Sequence, residues 1–341
     1  MRVVLVCPAP PGSRLGNRVT AVRWKRLLGE LGHDVTITTG LPRTRCDVVI
    51  ALHARHSASA VRFVAKSRPN QGIVVAMTGT DLYRDILSDA SAQRSVELAD
   101  VLVVLHDLGA MALPRAQRKK VHVVRQSAEA PAPMALAASR RATPANGASF
   151  DVAFVAHLRS EKDPLRAALA TRLLRPTSRI RVLHAGRALT EELRVAANEE
   201  QGRNPRYRWL GELSPLEART LIARSQLMVL TSVMEGGANV LGEAIVCATP
   251  IVASRIPATV AALGSRYPGL FTAGDTEALA RLLARAEREP AFLARLTKAT
   301  RARRPLFTPS AEKAALRAVL RDAVSARRRG DGPPVLPRAN R

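Results

Sequence analysis

The sequence predicts two doubly wound α/β domains in tandem, facing each other across a cleft. Three observations carry this expectation. Apolar runs of strand length alternate with amphipathic helical stretches along nearly the whole chain, the pattern of parallel βαβ units with right-handed crossovers. The alternation breaks at Ala128–Ser149 (AEAPAPMALAASRRATPANGAS), which is rich in Ala, Pro and Ser and has no period, and then restarts. At 341 residues the chain has room for two domains of ordinary size, and a 47% hydrophobic content can fill two cores.

Taken in order, Arg2–Cys7 is the first strand. Pro8–Gly16 is a loop, and Val19–Leu31 shows helical periodicity (Val19, Val22, Leu27, Leu28, Leu31) closed by Gly32 as a C-cap. Asp34–Thr39 and Val48–Leu52 are the next strands. Ser57–Lys66 reads as helix, Ile73–Met77 as strand, Ser91–Leu98 as helix, and Val101–Leu105 and Val121–Val124 as strands. Residues 1–127 thus form an amino-terminal domain, and residues 128–149 are the linker. The second domain, residues 150–309, runs Phe150–Ala156 (strand), Pro164–Leu174 (helix), Ile180–Ala185 (strand), Glu191–Glu200 (helix), Tyr207–Leu210 (strand) and Leu216–Arg224 (helix). The strand Leu227–Leu230 follows, then a helical pattern from about Ala238 to Cys247, the strand Pro250–Ala253, and the helices Thr276–Glu287 and Pro290–Arg301. Ser310–Ala326 is a long basic amphipathic helix, expected to cross back to the first domain. Residues 327–341 are polar, basic and Pro-rich, and are expected to be disordered.

The net charge is +25 and aromatics make up only 3%. So basic a chain raises the question of nucleic acid. The arginines are spread over the chain, however, and the stacking aromatics that single-strand binders use are scarce. A solvated Arg-rich surface is the plainer reading, and its positive field still favours small anionic substrates such as phosphates. Cys7, Cys46 and Cys247 lie far apart without CxxC spacing, which fits a reducing cytoplasm and offers no metal set. The apolar start of MRVVLVCPAPPG is too short for a signal peptide, and no stretch reaches transmembrane length. There is no HExxH, GxSxG, P-loop or DxD motif. The first strand is not followed by GxGxxG, which argues against a plain dinucleotide dehydrogenase.

The most informative stretch is Thr231–Ser254, TSVMEGGANVLGEAIVCATPIVAS. It reads as strand end, glycine turn, helix and strand. Glu235 falls in the turn and Glu243 in the helix, with helix amino-terminal amides between them. Such amides attract anions, while carboxylates accept hydrogen bonds from sugar hydroxyls. The stretch is suited to holding a sugar nucleotide.

At Glu235–Glu243 the sequence resembles the retaining, nucleotide-sugar-dependent group 1 glycosyltransferases of GT-B fold. It has the frame E-G-x-x-x-x-x-x-E-A followed by the proline-tipped strand Pro250–Ala253. The stretches Pro8–Trp24, Ala51–Arg62, Met77–Asp85, Arg125–Glu129, His157–Ala170 and Arg206–Leu213 are further similar to a small subfamily, the selenosugar synthases of selenoneine biosynthesis. That resemblance implies transfer of a sugar, N-acetylglucosamine from UDP-N-acetylglucosamine, to selenophosphate with formation of a C–Se bond.

The resemblance also implies roles. Glu243 would bind the nucleotide ribose and Glu235 the donor sugar, with Gly236, Gly237, Ala238, Asn239 and Val240 around the diphosphate. Ala238 stands where the family often has Gly. Lys162 matches the family's diphosphate lysine. His157 stands where an Arg is usual, so Arg159 is expected to be the second cation and His157 a polar contact. The catalytic set is then Arg159, Lys162 and Glu235. In the first domain Gly16 would let the backbone approach the diphosphate or the acceptor. Ser13, Arg14, Asn17 and Arg18 around it, with His53, Arg55, Thr78, Gly79, Thr80 and Asp81, would receive the acceptor; His56 follows the same strand as His53. Many relatives carry His where Thr78 stands. A selenium nucleophile of low pKa needs no general base, so this departure fits such an acceptor.

The expected partners are small-molecule substrates, with no cofactor, no metal, no nucleic acid and no membrane insertion. The sequence has no signature of oligomeric state. Two other readings stay open: a glycosyltransferase acting on a lipid or polysaccharide hydroxyl, which the basic helix Ser310–Ala326 would suit, and a non-catalytic nucleic-acid-binding protein on the same fold.

Overall fold

The computed structural model describes residues 1–130 and 149–328. The chain divides into two compact units: Met1–Gln126 with the stretch from Pro309 onward, and Ser127–Thr308. Nearly all of the expected linker, and the tail beyond Arg328, lie outside the described residues.

The first unit is built on a parallel six-stranded sheet: β1 (Arg2–Val6), β2 (Asp34–Thr38), β3 (Val48–Leu52), β4 (Gly72–Ala76), β5 (Val101–Val104) and β6 (Val121–Val123), in the order β2-β1-β3-β4-β5-β6. Val3 pairs with Val48, and Val48 with Gly72. The central strands are apolar at successive positions because helices cover both faces. On one face Val3, Leu5, Ile50 and Val74 pack with Trp24, Leu27 and Leu28 of the Gly16–Glu30 helix and with Leu316, Val319 and Leu320 of the Pro309–Arg328 helix. On the other, Val4, Val49 and Val75 pack with Val61 and Val64 of the Ala58–Ser67 helix and Val96 of the Ala90–Leu98 helix. The carboxyl-terminal helix is fixed by polar contacts as well. Buried Glu312 accepts from the Trp24 indole N–H at 2.7 Å, and Arg327 donates to Asp100 at 2.7 Å.

The second unit repeats the design with β7 (Phe150–Val155), β8 (Ile180–Ala185), β9 (Tyr207–Trp209), β10 (Leu227–Leu230), β11 (Ile251–Ser254) and β12 (Leu270–Phe271), in the order β12-β11-β10-β7-β8-β9. Each sheet therefore reverses its winding once, between β1 and β3 in the first unit and between β7 and β10 in the second. Crevices at such switch points, outside the carboxyl ends of the strands, are where doubly wound sheets take ligands.

The structure departs from the sequence expectations in identifiable places. The first helix begins at Gly16 rather than Val19, so Gly16, Asn17 and Arg18 form its first turn instead of ending a loop. Leu15 is the N-cap and no side chain caps the helix, so the start lacks the usual polar signal. Its end is as expected. Gly32 takes φ +80°, and the amides of Gly32 and His33 return to Gly29 and Leu28 at 2.9 and 3.1 Å, a Schellman closure. The helix Pro257–Leu263, the short edge strand β12 and the π-helical turn Asp81–Asp85 were not anticipated. Arg327 and Arg328 continue the last helix rather than opening a tail.

Candidate active site

The clearest constellation stands at the β7/β10 switch point. Residues 156–163 leave β7 and curl into a tight 3₁₀ turn, Ser160–Lys162, closed by Asp163 in the left-handed region at φ 45°. Residues 231–238 leave β10. The two segments are tied together: the Thr231 hydroxyl donates to the Lys162 and Asp163 carbonyls at 2.8 and 3.0 Å, and the Val233 amide to the Glu161 carbonyl at 2.9 Å. Through this clamp the Lys162 ammonium meets the Glu235 carboxylate directly, at Oε1. The Ser232 hydroxyl donates to the same oxygen at 2.7 Å. Ser254 at the end of β11 donates to the Ser232 carbonyl.

Glu235 is buried and Lys162 nearly so. A buried ion pair attracts more strongly than one in water but pays for desolvation, and it holds its geometry when the remaining positions are hydrogen bonded. Here the Ser232 hydroxyl adds that support to Oε1.

Gly236 and Gly237 lead from Glu235 into the helix Asn239–Cys247, whose N-cap is Ala238. Ala238 has no side chain that could cap the helix, and the first turn, which includes Asn239 and Val240, holds no acidic residue. The helix start is therefore suited to an anion. Glu243 lies one turn into the helix and is half-buried. His157, just past β7, accepts the Arg187 amide N–H on Nδ1 at 3.1 Å, which leaves Nε2 as the protonated nitrogen of the neutral ring. Arg159 lies in the same turn as Lys162, but its guanidinium is exposed and its nearest carboxylate is Glu161, at 3.9 Å. The structure thus brings Lys162 to Glu235 and leaves Arg159 outside that contact. The sequence reading did not include Thr231, Ser232, Asp163 or Ser254. The TS pair after an apolar strand was its only trace of them.

The predicted acceptor residues fall into two groups, after β1 and after β3 and β4, strands that neighbour one another across the first unit's switch point. In the first group, Ser13 Oγ accepts the Leu15 amide at 3.1 Å, Gly16 and Asn17 open the helix, and Arg14 is exposed. The Arg18 Nε is buried without a hydrogen-bond partner. Arg18 also lies beside the buried Cys7 thiol, whose pKa is pushed up by burial.

In the second group Asp81 is fully buried and works as a brace. It accepts the amides of Thr78 and Gly79 on one oxygen at 2.8 and 2.9 Å, and the Ala54 amide on the other at 2.8 Å. Asp81 therefore joins the β3 and β4 loops and has little capacity left for a substrate. His53 takes φ 75° and sits against it. His53 Nε2 bonds to Thr80 Oγ1 at 3.0 Å, Nδ1 accepts the His56 amide at 3.3 Å, and the two imidazoles pack at 4.2 Å. Burial holds the His53 pKa below its ordinary value, although the Asp81 carboxylate pulls the other way. Arg55 pairs with Asp89 at 3.0 Å. Among the described residues there is no group of three or more His, Cys, Asp and Glu side chains able to hold a metal ion.

Residues 137–303 match the family model described as glycosyl transferases group 1. The match covers just under half of the chain. Both the Lys162 turn and the Glu235–Glu243 frame lie within it. No curated protein sequence gives a significant match. Among solved structures, the glycosyltransferase is similar to a sucrose-phosphate synthase from Thermosynechococcus elongatus, with a TM-score of 0.76, 16% identity and coverage of 95% of this chain and 99% of that one. It is similar to Anabaena HepE in complex with UDP-glucose, with a TM-score of 0.71, 16% identity and coverage of 94% and 99%. An E. coli trehalose-6-phosphate protein bound with UDP-2-fluoro glucose gives a TM-score of 0.70, 13% identity and coverage of 95% and 99%. At these identities the likeness is one of fold, and the glycosyltransferase has the GT-B fold.

Proposed function

We propose that this glycosyltransferase takes N-acetylglucosamine from UDP-N-acetylglucosamine and transfers it to selenophosphate. The donor half of the reading is carried by one observation: the Lys162–Glu235 pair stands at a switch point beside a helix start whose first turn holds no acidic residue. Lys162 offers a fixed cation to a diphosphate whose charge grows as UDP leaves, the kind of preorganised stabilisation that dominates many enzyme rate enhancements. Glu235 accepts from donor-sugar hydroxyls and Glu243 from the ribose. HepE and the E. coli protein carry UDP-sugars on the same fold, which supports the donor class. The reading includes no metal and no cofactor.

The acceptor half rests on the likeness to selenosugar synthases and on chemistry. Selenium attacks the sugar C1, the C1–O bond to the diphosphate breaks, and UDP leaves with the electron pair. Water then cleaves the Se–P bond, releasing phosphate and a 1-seleno sugar. No proton has to be removed from the nucleophile, which suits a loop with Thr78 where relatives carry His. Arg14 and Arg18 supply positive charge to an oxyanionic acceptor. Three buried cysteines that form no disulfide suit a reducing compartment, and we assign the reaction to the cytoplasm.

The test is incubation with UDP-N-acetylglucosamine and selenophosphate, followed by mass spectrometry. The expected product shows the selenium isotope pattern at the mass of a selenosugar. Transfer to a lipid or polysaccharide hydroxyl instead would overturn the acceptor. The feature that favoured a membrane acceptor has weakened, because the apolar side of the Pro309–Arg328 helix is buried in the first unit's core. No helix among the described residues is long and apolar enough to cross a membrane.

A further inference from the structure

The loop after β4 holds a hydroxyl whose proton is directed by a histidine. The His56 amide donates to His53 Nδ1 at 3.3 Å, so that nitrogen presents its lone pair. In the neutral ring the proton is therefore on Nε2 and is donated to Thr80 Oγ1 at 3.0 Å. His53 is itself immobilised. It sits at φ 75°, its amide donates to the Ala76 carbonyl at 2.9 Å, and it is buried between Asp81 and Asp85. With one Thr80 lone pair taken, the hydroxyl must direct its own proton elsewhere. Among the described residues it has no acceptor. Thr80 is half-buried and stands at the carboxyl end of the sheet, where doubly wound folds receive ligands.

The local charge permits a phosphoryl oxygen here. Asp81 is spent on three backbone amides. Asp85 Oδ1 is flanked by Arg84 at 3.2 Å and Arg55 at 3.9 Å while its Oδ2 lies 3.8 Å from His53 Nε2, and Asp89 is paired with Arg55 at 3.0 Å. The remaining neighbour, His56, packs its ring on His53.

We propose that the Thr80 hydroxyl is a hydrogen-bond donor to a phosphoryl oxygen of substrate, and that His53 is the positioning residue that fixes its direction. This deepens the functional reading above and rests on it for the identity of the phosphoryl groups, which belong to the acceptor selenophosphate or to the donor diphosphate. Asp85, absent from the sequence reading, serves as the far wall of the His53 pocket.

The test compares Thr80→Val, Thr80→Ser and His53→Asn in the full chain, measuring KM for each substrate and kcat separately. Losing one hydrogen bond to a charged group should raise one KM about ten- to a hundredfold in Thr80→Val. A rise confined to selenophosphate identifies the acceptor, and a rise confined to UDP-N-acetylglucosamine identifies the donor. Thr80→Ser should return that KM to within about threefold of wild type. Asn tolerates the left-handed backbone at position 53 but does not reach Thr80. His53→Asn should therefore move the same KM, and the double variant should be no worse than Thr80→Val alone. The proposal is overturned if Thr80→Val changes neither KM, or if the two substitutions have additive effects. Calorimetry of inorganic phosphate and of UDP on the same variants reads the inference without turnover. A wild-type chain inactive on selenophosphate, whose phosphate or UDP affinity still falls in Thr80→Val and recovers in Thr80→Ser, would overturn the acceptor assignment and sustain the role of Thr80. Unchanged Kd values in a chain that does turn over would do the reverse.

Discussion

At the scale of single residues, the pair Lys162–Glu235 divides the work unequally. If Lys162 meets charge that develops as the leaving group departs, Lys162→Ala should lower kcat by about 10²- to 10³-fold with a much smaller rise in donor KM. Glu243→Ala should show the opposite balance, weakening UDP binding by about tenfold with kcat less affected, as expected for a ground-state contact. Steady-state kinetics with varied donor separates the two, and a raised donor KM with kcat unchanged in Lys162→Ala would show that it contributes ground-state binding alone. The Glu235–Glu243 frame was readable from its spacing and Lys162 was singled out by resemblance, but the contact between Lys162 and Glu235 was not legible. Ser232, Thr231 and Asp163 were not legible either, because their roles exist only once β7 and β10 lie side by side. Asp81 was read as an acceptor contact, and its function as a brace for three amides was not legible, since those amides come from two separate loops.

At the scale of elements, the central strands could be read from their apolar runs, since burial on both faces leaves a continuous signal. The elements that escaped were short. β12 has two residues and the Pro257–Leu263 helix seven, too few for a period to declare itself. The Pro309–Arg328 helix was expected, but the polar contact that docks it was not. Glu312 receives the Trp24 indole N–H from far along the chain, and Arg23 approaches the same oxygen at 3.5 Å. Trp24→Phe keeps most of the packing and removes that donor, leaving a buried carboxylate under-satisfied. Its expected cost is about 1–3 kcal/mol, seen as a lower urea midpoint and faster amide exchange over residues 309–328. Unchanged exchange in that helix would show that packing alone holds it.

At the scale of the whole molecule, two buried histidines tie stability to pH. His184 accepts the Tyr207 hydroxyl proton on Nδ1 at 2.8 Å and donates from Nε2 to the Ala156 carbonyl at 3.0 Å; burial pushes its pKa down to about 4. Burial also pushes His106 down to about 4, against the pull of Asp107. Both have folded-state values below the unfolded one near 6.5. As pH falls from that value toward 4 the unfolded chain takes up protons that the folded chain refuses, and stability is lost. The loss should approach about 3 kcal/mol per histidine at the acid end. Urea midpoints at neutral and acid pH measure it, and His184→Gln should flatten the slope; an unaltered slope would assign the acid sensitivity to other groups. The two-unit plan was legible because the alternation breaks between the two sheets. The order in which the units are completed follows from the chain's path. Ser127–Thr308 is one continuous segment, whereas the first unit closes its core only with Leu316, Val319 and Leu320. On the ribosome, at about 5–20 residues per second, the sheet made first must wait roughly ten to forty seconds for its last helix. One apolar face of it stays uncovered in that interval, so the unit synthesised first is the last to mature.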